Sequence, residues 1–167
     1  MPKGLKETSS LIAISAQVTE TAANTFTSQR VDLQLNPLDN EVFIVYAIDL
    51  DAQQPDNVDA TVTTLSGSLS TTERTSVGGI NDSNVMAASR QVIQNETTNA
   101  VYTEFKSDST PTGMLEYIGI IATNDFFLNL AGISNNAAKA MNARVFGVRA
   151  KADASVYAAL VQSEVLS

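Results

Sequence analysis

Glu41–Leu50, EVFIVYAIDL, is the most hydrophobic stretch of the chain, and its length, flanks and residue types identify a strand. Asn36-Pro37-Leu38-Asp39-Asn40 before it is a turn by composition, and Pro55 in Gln53–Asn57 breaks the pattern after it. β-Branched and aromatic residues fill six of the ten positions between. Strict alternation would put Val42, Ile44, Tyr46 and Ile48 on one face and Phe43, Val45 and Ala47 on the other. Both sets are apolar, which predicts a strand covered on both sides.

Outward from this strand the period-two pattern recurs in short segments. Phe26–Leu35 alternates through Val31, Leu33 and Leu35 and reads as the first core strand. Val58–Leu69 alternates through Val58, Ala60 and Val62, then changes face through Leu65, Gly67 and Leu69, which predicts a bulge near Thr63-Thr64. Gly78-Gly79 and Asn81-Asp82 mark a loop. Val85–Ile93 suits helix or strand, and Val101–Phe105 (VYTEF) reads as strand. Pro111 and Gly113 mark a further break; Tyr117–Ile121 and Asp125–Leu130 are short strands flanking Thr123-Asn124, spaced as for a two-residue hairpin. Gly132–Asn136 reads as loop, Ala137–Asn142 as one helical turn, and Ala143–Ala150 (ARVFGVRA) as the last strand. Asp153 stands where an N-cap belongs, ahead of a short helix with Val156, Ala159, Leu160 and Ser163 on one side.

About eight strands without regular βα alternation predict an all-β fold: an eight-stranded antiparallel jelly-roll-like sandwich with an extended N-terminal arm and a short C-terminal helix. The expected divisions are an arm over residues 1–25, the sandwich over 26–151 and a helical segment over 152–167. Leu11–Val18, preceded by Lys3 and Lys6, has some features of a signal-peptide core, but Glu7, Ser15 and Gln17 interrupt it, so the arm is the preferred reading. No apolar run is long enough to cross a bilayer as a helix.

Composition narrows the function. The 167 residues contain no His, Cys or Trp. This rules out a Ser-His-Asp triad, a Cys-His pair, the common zinc sites and thiol redox chemistry. An enzyme using carboxylates alone would lack the usual nucleophiles and bases, so the expectation is no enzymatic activity. Only 17% of residues are charged, so Thr, Ser, Asn and Gln supply much of the polar surface. Neutral polar groups cost less to desolvate than charges, which suits contact with other protein. A net charge of −8 argues against binding nucleic acid by neutralising phosphates.

The strand count, the preceding arm, VFIVYAIDLD from Val42 to Asp51 and the closing ARVFGVRAKADASVYAALVQSE segment resemble the layout of single jelly-roll viral capsid (coat) proteins. The resemblance covers about residues 26–151 at the level of architecture. It implies a structural virion protein that self-assembles through contacts between copies, and with other virion proteins. Many such coats of RNA viruses carry a basic arm, which this chain lacks, so little direct contact with nucleic acid is expected. The alternative is a lectin-like or adhesin-type binding module, disfavoured as a sugar platform because there is no Trp and only four Tyr.

Specific sites are few. Asp49, Asp51, Asp56 and Asp59 place four carboxylates around a strand end and form a candidate Ca²⁺ site, without the Gly and closing Glu of an EF-hand; the plain alternative is a solvated acidic loop. Asn81-Asp82-Ser83 and Asn95-Glu96-Thr97 match the glycosylation pattern, as chance allows in a chain so rich in these residues. Phe43, Tyr46, Phe105, Tyr117, Phe126, Phe127 and Phe146 are expected to fill the core.

Overall fold

The computed structural model describes residues 2–106 and 115–166; the break expected at Pro111 and Gly113 lies outside them. Ten strands are present among the described residues: β1 (Leu5–Glu7), β2 (Ile12–Thr19), β3 (Thr27–Asp32), β4 (Glu41–Ala52), β5 (Val62–Ser70), β6 (Val85–Asn95), β7 (Ala100–Lys106), β8 (Gly119–Ile121), β9 (Asp125–Ile133) and β10 (Ala140–Ala152). One α-helix, α1 (Ala154–Val165), follows, and Pro37–Asp39 forms a single 3-10 turn before β4. All pairings are antiparallel. Sheet A has the order β1-β10-β4-β8, with β2 also on β10; sheet B has the order β3-β9-β5-β6-β7.

The pairing is nested. β5 pairs with β6, β4 with β8, β3 with β9 and β2 with β10, as in a long hairpin bent at β5–β6 and wrapped into two layers. That is jelly-roll topology, with β7 added beside β6 and β1 continuing the line of β2 along β10. Between the sheets lies the main core of Phe43, Val45, Ile48, Leu50, Leu65, Leu69, Phe126, Leu128, Leu130 and Met141.

Several expectations change. The stretch expected to be an arm contributes β2, which pairs with β10 from Ile12↔Gly147 to Thr19↔Ala140, and Val18 is fully buried in the main core. Ile12, Ile14, Ala16 and Val18 form a half-buried strand pattern within a Thr- and Ser-rich setting. Thr123-Asn124 makes no hairpin, because β8 belongs to sheet A and β9 to sheet B. Leu33 N donates to Asn124 O, and Leu35 N to Asn124 Oδ1, which anchors this crossing. Ala140–Asn142 extends β10 where a helical turn was expected, and the turn of Val58–Thr61, with Ala60 at φ 51°, precedes β5. β5 has its irregularity between Leu69 and Ser70 rather than at Thr63-Thr64.

A further change is in the strand that decides the fold. The register of β4 on β10 slips between Ala47↔Phe146 and Val45↔Gly147, leaving Tyr46 as the extra residue of a bulge. Beyond it the faces swap: Ile48 joins Phe43 and Val45 in the main core, while Ile44 stays on the other side with Val42. Gly147 makes this approach feasible, since a Cβ there would lie 2.3 Å from Ile44 O.

Val42 and Ile44 are buried because α1 lies over the outer face of sheet A. Val156, Tyr157, Leu160 and Val161 pack on Leu5, Val42, Ile44, Val148, Ala150 and Ala152 as a second core. Asp153 caps α1 as its sequence position predicts, accepting from Val156 N at 2.8 Å. Glu164 is buried and accepts from Ala122 N (2.7 Å) and Thr123 N (2.8 Å), fastening the far end of the helix beside β8.

Candidate interaction surfaces

The four aspartates read as a Ca²⁺ candidate are not brought together. Asp49 and Asp51 share the exposed outer face of β4, opposite Arg144 and Asn142 of β10. Asp56 turns to the β9–β10 connection, where it accepts from Asn136 N and Ala137 N and pairs with Lys139 Nζ. The hydrogen bond from Lys139, followed by those from the two amides, holds its carboxyl below the ordinary aspartate range despite the opposing effect of burial. Asp59 stands in the exposed turn before β5, its carbonyl accepting from Thr61 Oγ1. Among the described residues no three Asp, Glu, His or Cys side chains converge as metal ligands. The alternation of β4 fixes the first two aspartates on one face, and the third is already committed to its lysine and loop.

The two sheets present different outer surfaces. On sheet A, the half not under α1 is polar: Ser15, Gln17, Asn142, Arg144, Asp49 and Asp51 line a shallow hollow. On sheet B, registry sets two rows across the outer face, Ile133–Thr64–Val92–Thr103 and Ala131–Ser66–Arg90–Phe105, flanked by Val62–Gln94–Val101. Ile133 is 60% exposed, Val101 58%, Val62 50% and Phe105 49%. Arg90 is the single charged residue in these rows, and its guanidinium lies 4.7 Å from the centre of the Phe105 ring. Phe105 was expected in the core; it instead forms part of this open face. Phe43 and Phe126 are core residues as expected.

The other half of the sheet B surface is covered by the loop 71–84. Ser68 Oγ donates to Val77 O, Ser70 Oγ to Thr72 O, and Asn129 Nδ2 to Ser70 Oγ, while Ser28 Oγ donates to Asn129 Oδ1. Arg74 braces the loop through Asp82 (3.0 Å) and Asn84 (2.6 Å), and Gly79 N donates to Asp82 Oδ2. The Gly-Gly pair is thus a turn, with Gly78 at φ 71°. Between this loop and β7 runs an open groove of about 790 Å³ lined by Ser66, Ile80, Arg90, Phe105 and Lys106 among others.

Two buried acids were indistinguishable in sequence from solvated ones. Glu164 is one. Glu20 is the other, accepting from Gly132 N (2.7 Å) and Lys139 N (2.9 Å) to tie the end of β2 to the β9–β10 connection. Their sequence signal was weak: each is an acid beside an apolar segment.

No family model and no curated protein matches the chain. Among solved structures it is similar to Desmodium yellow mottle tymovirus, with a TM-score of 0.29 and 8% identity over 91% of this chain and 92% of that one. It is also similar to the tailspike protein gp49 from Acinetobacter baumannii bacteriophage Fri1, a capsular polysaccharide depolymerase, with a TM-score of 0.18 and 10% identity over 79% of this chain and 19% of that one. With scores and identities this low, the architecture rests on the strand order itself: an all-β, two-sheet sandwich of jelly-roll topology.

Proposed function

We propose that this chain is a structural, self-assembling virion protein, a capsid (coat) subunit that builds a shell through contacts between copies and has no catalytic role. Jelly rolls serve viral coats and lectins alike, so the topology admits both classes. The observation that carries the proposal is the open outer face of sheet B, where Ile133, Val101, Val62 and Phe105 stand exposed among neutral residues with Arg90 as the one charge. A solvated sheet face normally alternates to charged or polar residues, whereas exposed apolar patches of this kind mark protein contacts. Partners are copies of the same chain and other virion proteins, and the location is the virion.

Electron microscopy and light scattering of the purified chain test this. Shells, rings or other regular particles are expected, favoured by raised salt because each subunit carries a net charge of −8. A monomer at high concentration across that salt range would overturn the reading. The lectin-like alternative draws support from the groove beside Phe105 and Arg90; saturable glycan binding by isolated monomers, abolished in Phe105→Ala, would favour it.

A further inference from the structure

The edge of sheet B carries chemistry that the open face alone does not explain. β7 pairs with β6 on one side, and among the described residues no backbone group bonds to its other side. The hairpin phase identifies which groups are left over. Glu96 N donates to Asn99 O, so 96 and 99 form a hydrogen-bonded pair, and alternation makes 94/101, 92/103 and 90/105 the bonded pairs along the ladder. Asn95 N, one residue on, points the opposite way to Thr61 O, in agreement with this phase. The amides and carbonyls of Ala100, Tyr102, Glu104 and Lys106 therefore face away from β6, unpaired by any strand among the described residues.

Other edges are blunted. β3 carries Arg30 and Asp32, which pair with each other while Arg30 also reaches Asp125, and β8 is only three residues long. β2 is uncharged but turns Ile14, Ala16 and Val18 into the core and shows a partner Ala13, Ser15 and Gln17. β7 also carries two exposed charges, Glu104 and Lys106, but it is seven residues long and exposes Val101, Tyr102 and Phe105.

We propose that β7 is a homotypic contact, two copies pairing their β7 strands antiparallel about a two-fold axis at Thr103 so that two five-stranded sheets become one. It deepens the self-assembly reading, on which it rests for the identity of the partner. The register follows from backbone and side chains together. Because residues of even number face outward, the axis must pass through a residue. An axis at Glu104 would set two carboxylates opposite each other, and one at Tyr102 would leave Phe105 beyond the partner strand. An axis at Thr103 pairs all seven residues. Tyr102 and Glu104 of the partner exchange both backbone hydrogen bonds, twice by symmetry, and the Tyr102 hydroxyl, already bonded to Glu104 of its own strand, comes against a second carboxylate that can take its place. Val101 faces the partner's Phe105 across a non-bonded pair, where side chains approach most closely. The interface is self-complementary, as a two-fold contact must be.

The chain has no cysteine, so single cysteines report the register without background. Thr103→Cys places two thiols on the axis with Cα atoms about 4.5 Å apart, within disulfide reach, whereas Val101→Cys leaves its two thiols on strands offset by roughly 13 Å. Under mild oxidation, Thr103→Cys should migrate as a covalent dimer and Val101→Cys should stay monomeric, while the Val101→Cys/Phe105→Cys double variant should cross-link. Glu104→Pro removes an outward amide without touching the β6 ladder and should raise the dimer dissociation constant at least tenfold in analytical ultracentrifugation with circular dichroism unchanged. Equal cross-linking of the two single variants, or unaltered association of a folded Glu104→Pro, would overturn the contact. Should Glu104→Pro misfold, the cysteine series decides alone. Particles seen without Thr103→Cys cross-linking would leave the shell reading standing and remove this contact; cross-linked dimers that never form particles would do the reverse.

Discussion

The two sheets of this sandwich treat their outer faces in opposite ways. Sheet A covers its apolar half with the chain's own helix, whose Val156, Tyr157, Leu160 and Val161 bury Val42, Ile44 and Val148. Sheet B leaves Ile133, Val101 and Phe105 exposed beside a loop that covers only the polar half. Similar residues thus serve two ends. Under α1 an isoleucine contributes to the stability of one molecule; on sheet B it is available to another.

The contrast is broken most sharply at Ile44, which is fully buried on the helix side of β4. Ile44→Ala should cost about 2–5 kcal/mol. Chemical denaturation would register it, and a change under about 1 kcal/mol would mean that α1 does not seal the face. Next comes the fastening of the helix end. Glu164→Ala strips the acceptor from Ala122 N and Thr123 N, and should cost about 1–3 kcal/mol, with faster amide hydrogen exchange at those two positions. Exchange rates that stay the same would show that water substitutes for the carboxylate. The smallest effect on folding is expected at Ile133→Ser, within about 0.5 kcal/mol, because the side chain is already in water. Its effect should appear instead in light scattering as weaker association; unchanged association would take this part of sheet B out of the contact.

The strands most legible in sequence were those with one unambiguous period. Glu41–Leu50, Val101–Phe105 and Asp125–Leu130 are strands as read, although the faces of the first swap at Tyr46, and Asp153 capped its helix as placed. What stayed hidden has physical causes. The bulge at Tyr46 leaves no trace in a strand with apolar residues on both faces, since sliding by one position exchanges one apolar set for another. Only Gly147, on a strand about a hundred residues away, accommodates it. β2 was masked by its Ser- and Thr-rich surroundings, though Ile12, Ile14 and Val18 held the period. The open surface was harder still: Phe105 and Val101 look like core residues in a linear reading, and only the place of β7 at the end of sheet B exposes them. The four aspartates do not converge because neighbours in sequence at a strand end are sent to opposite tasks, Asp49 and Asp51 to an outer face and Asp56 to Lys139.

The nested pairing has a consequence in time. Leu5 pairs with Ala152 and Ile12 with Gly147, so the outermost strands of sheet A wait for a segment that is synthesised almost at the far end of the sequence. Contacts this remote carry a large loop-closure cost, which places folding in the slow, millisecond-to-second class. The β5–β6 hairpin, by contrast, can form early and carries β7 with it. On the proposed β7 contact, the pairing edge then exists before the block that should present it. A nascent chain therefore passes through a window in which edge pairing competes with completion of the sandwich, and a slow concentration-dependent refolding phase would be its signature.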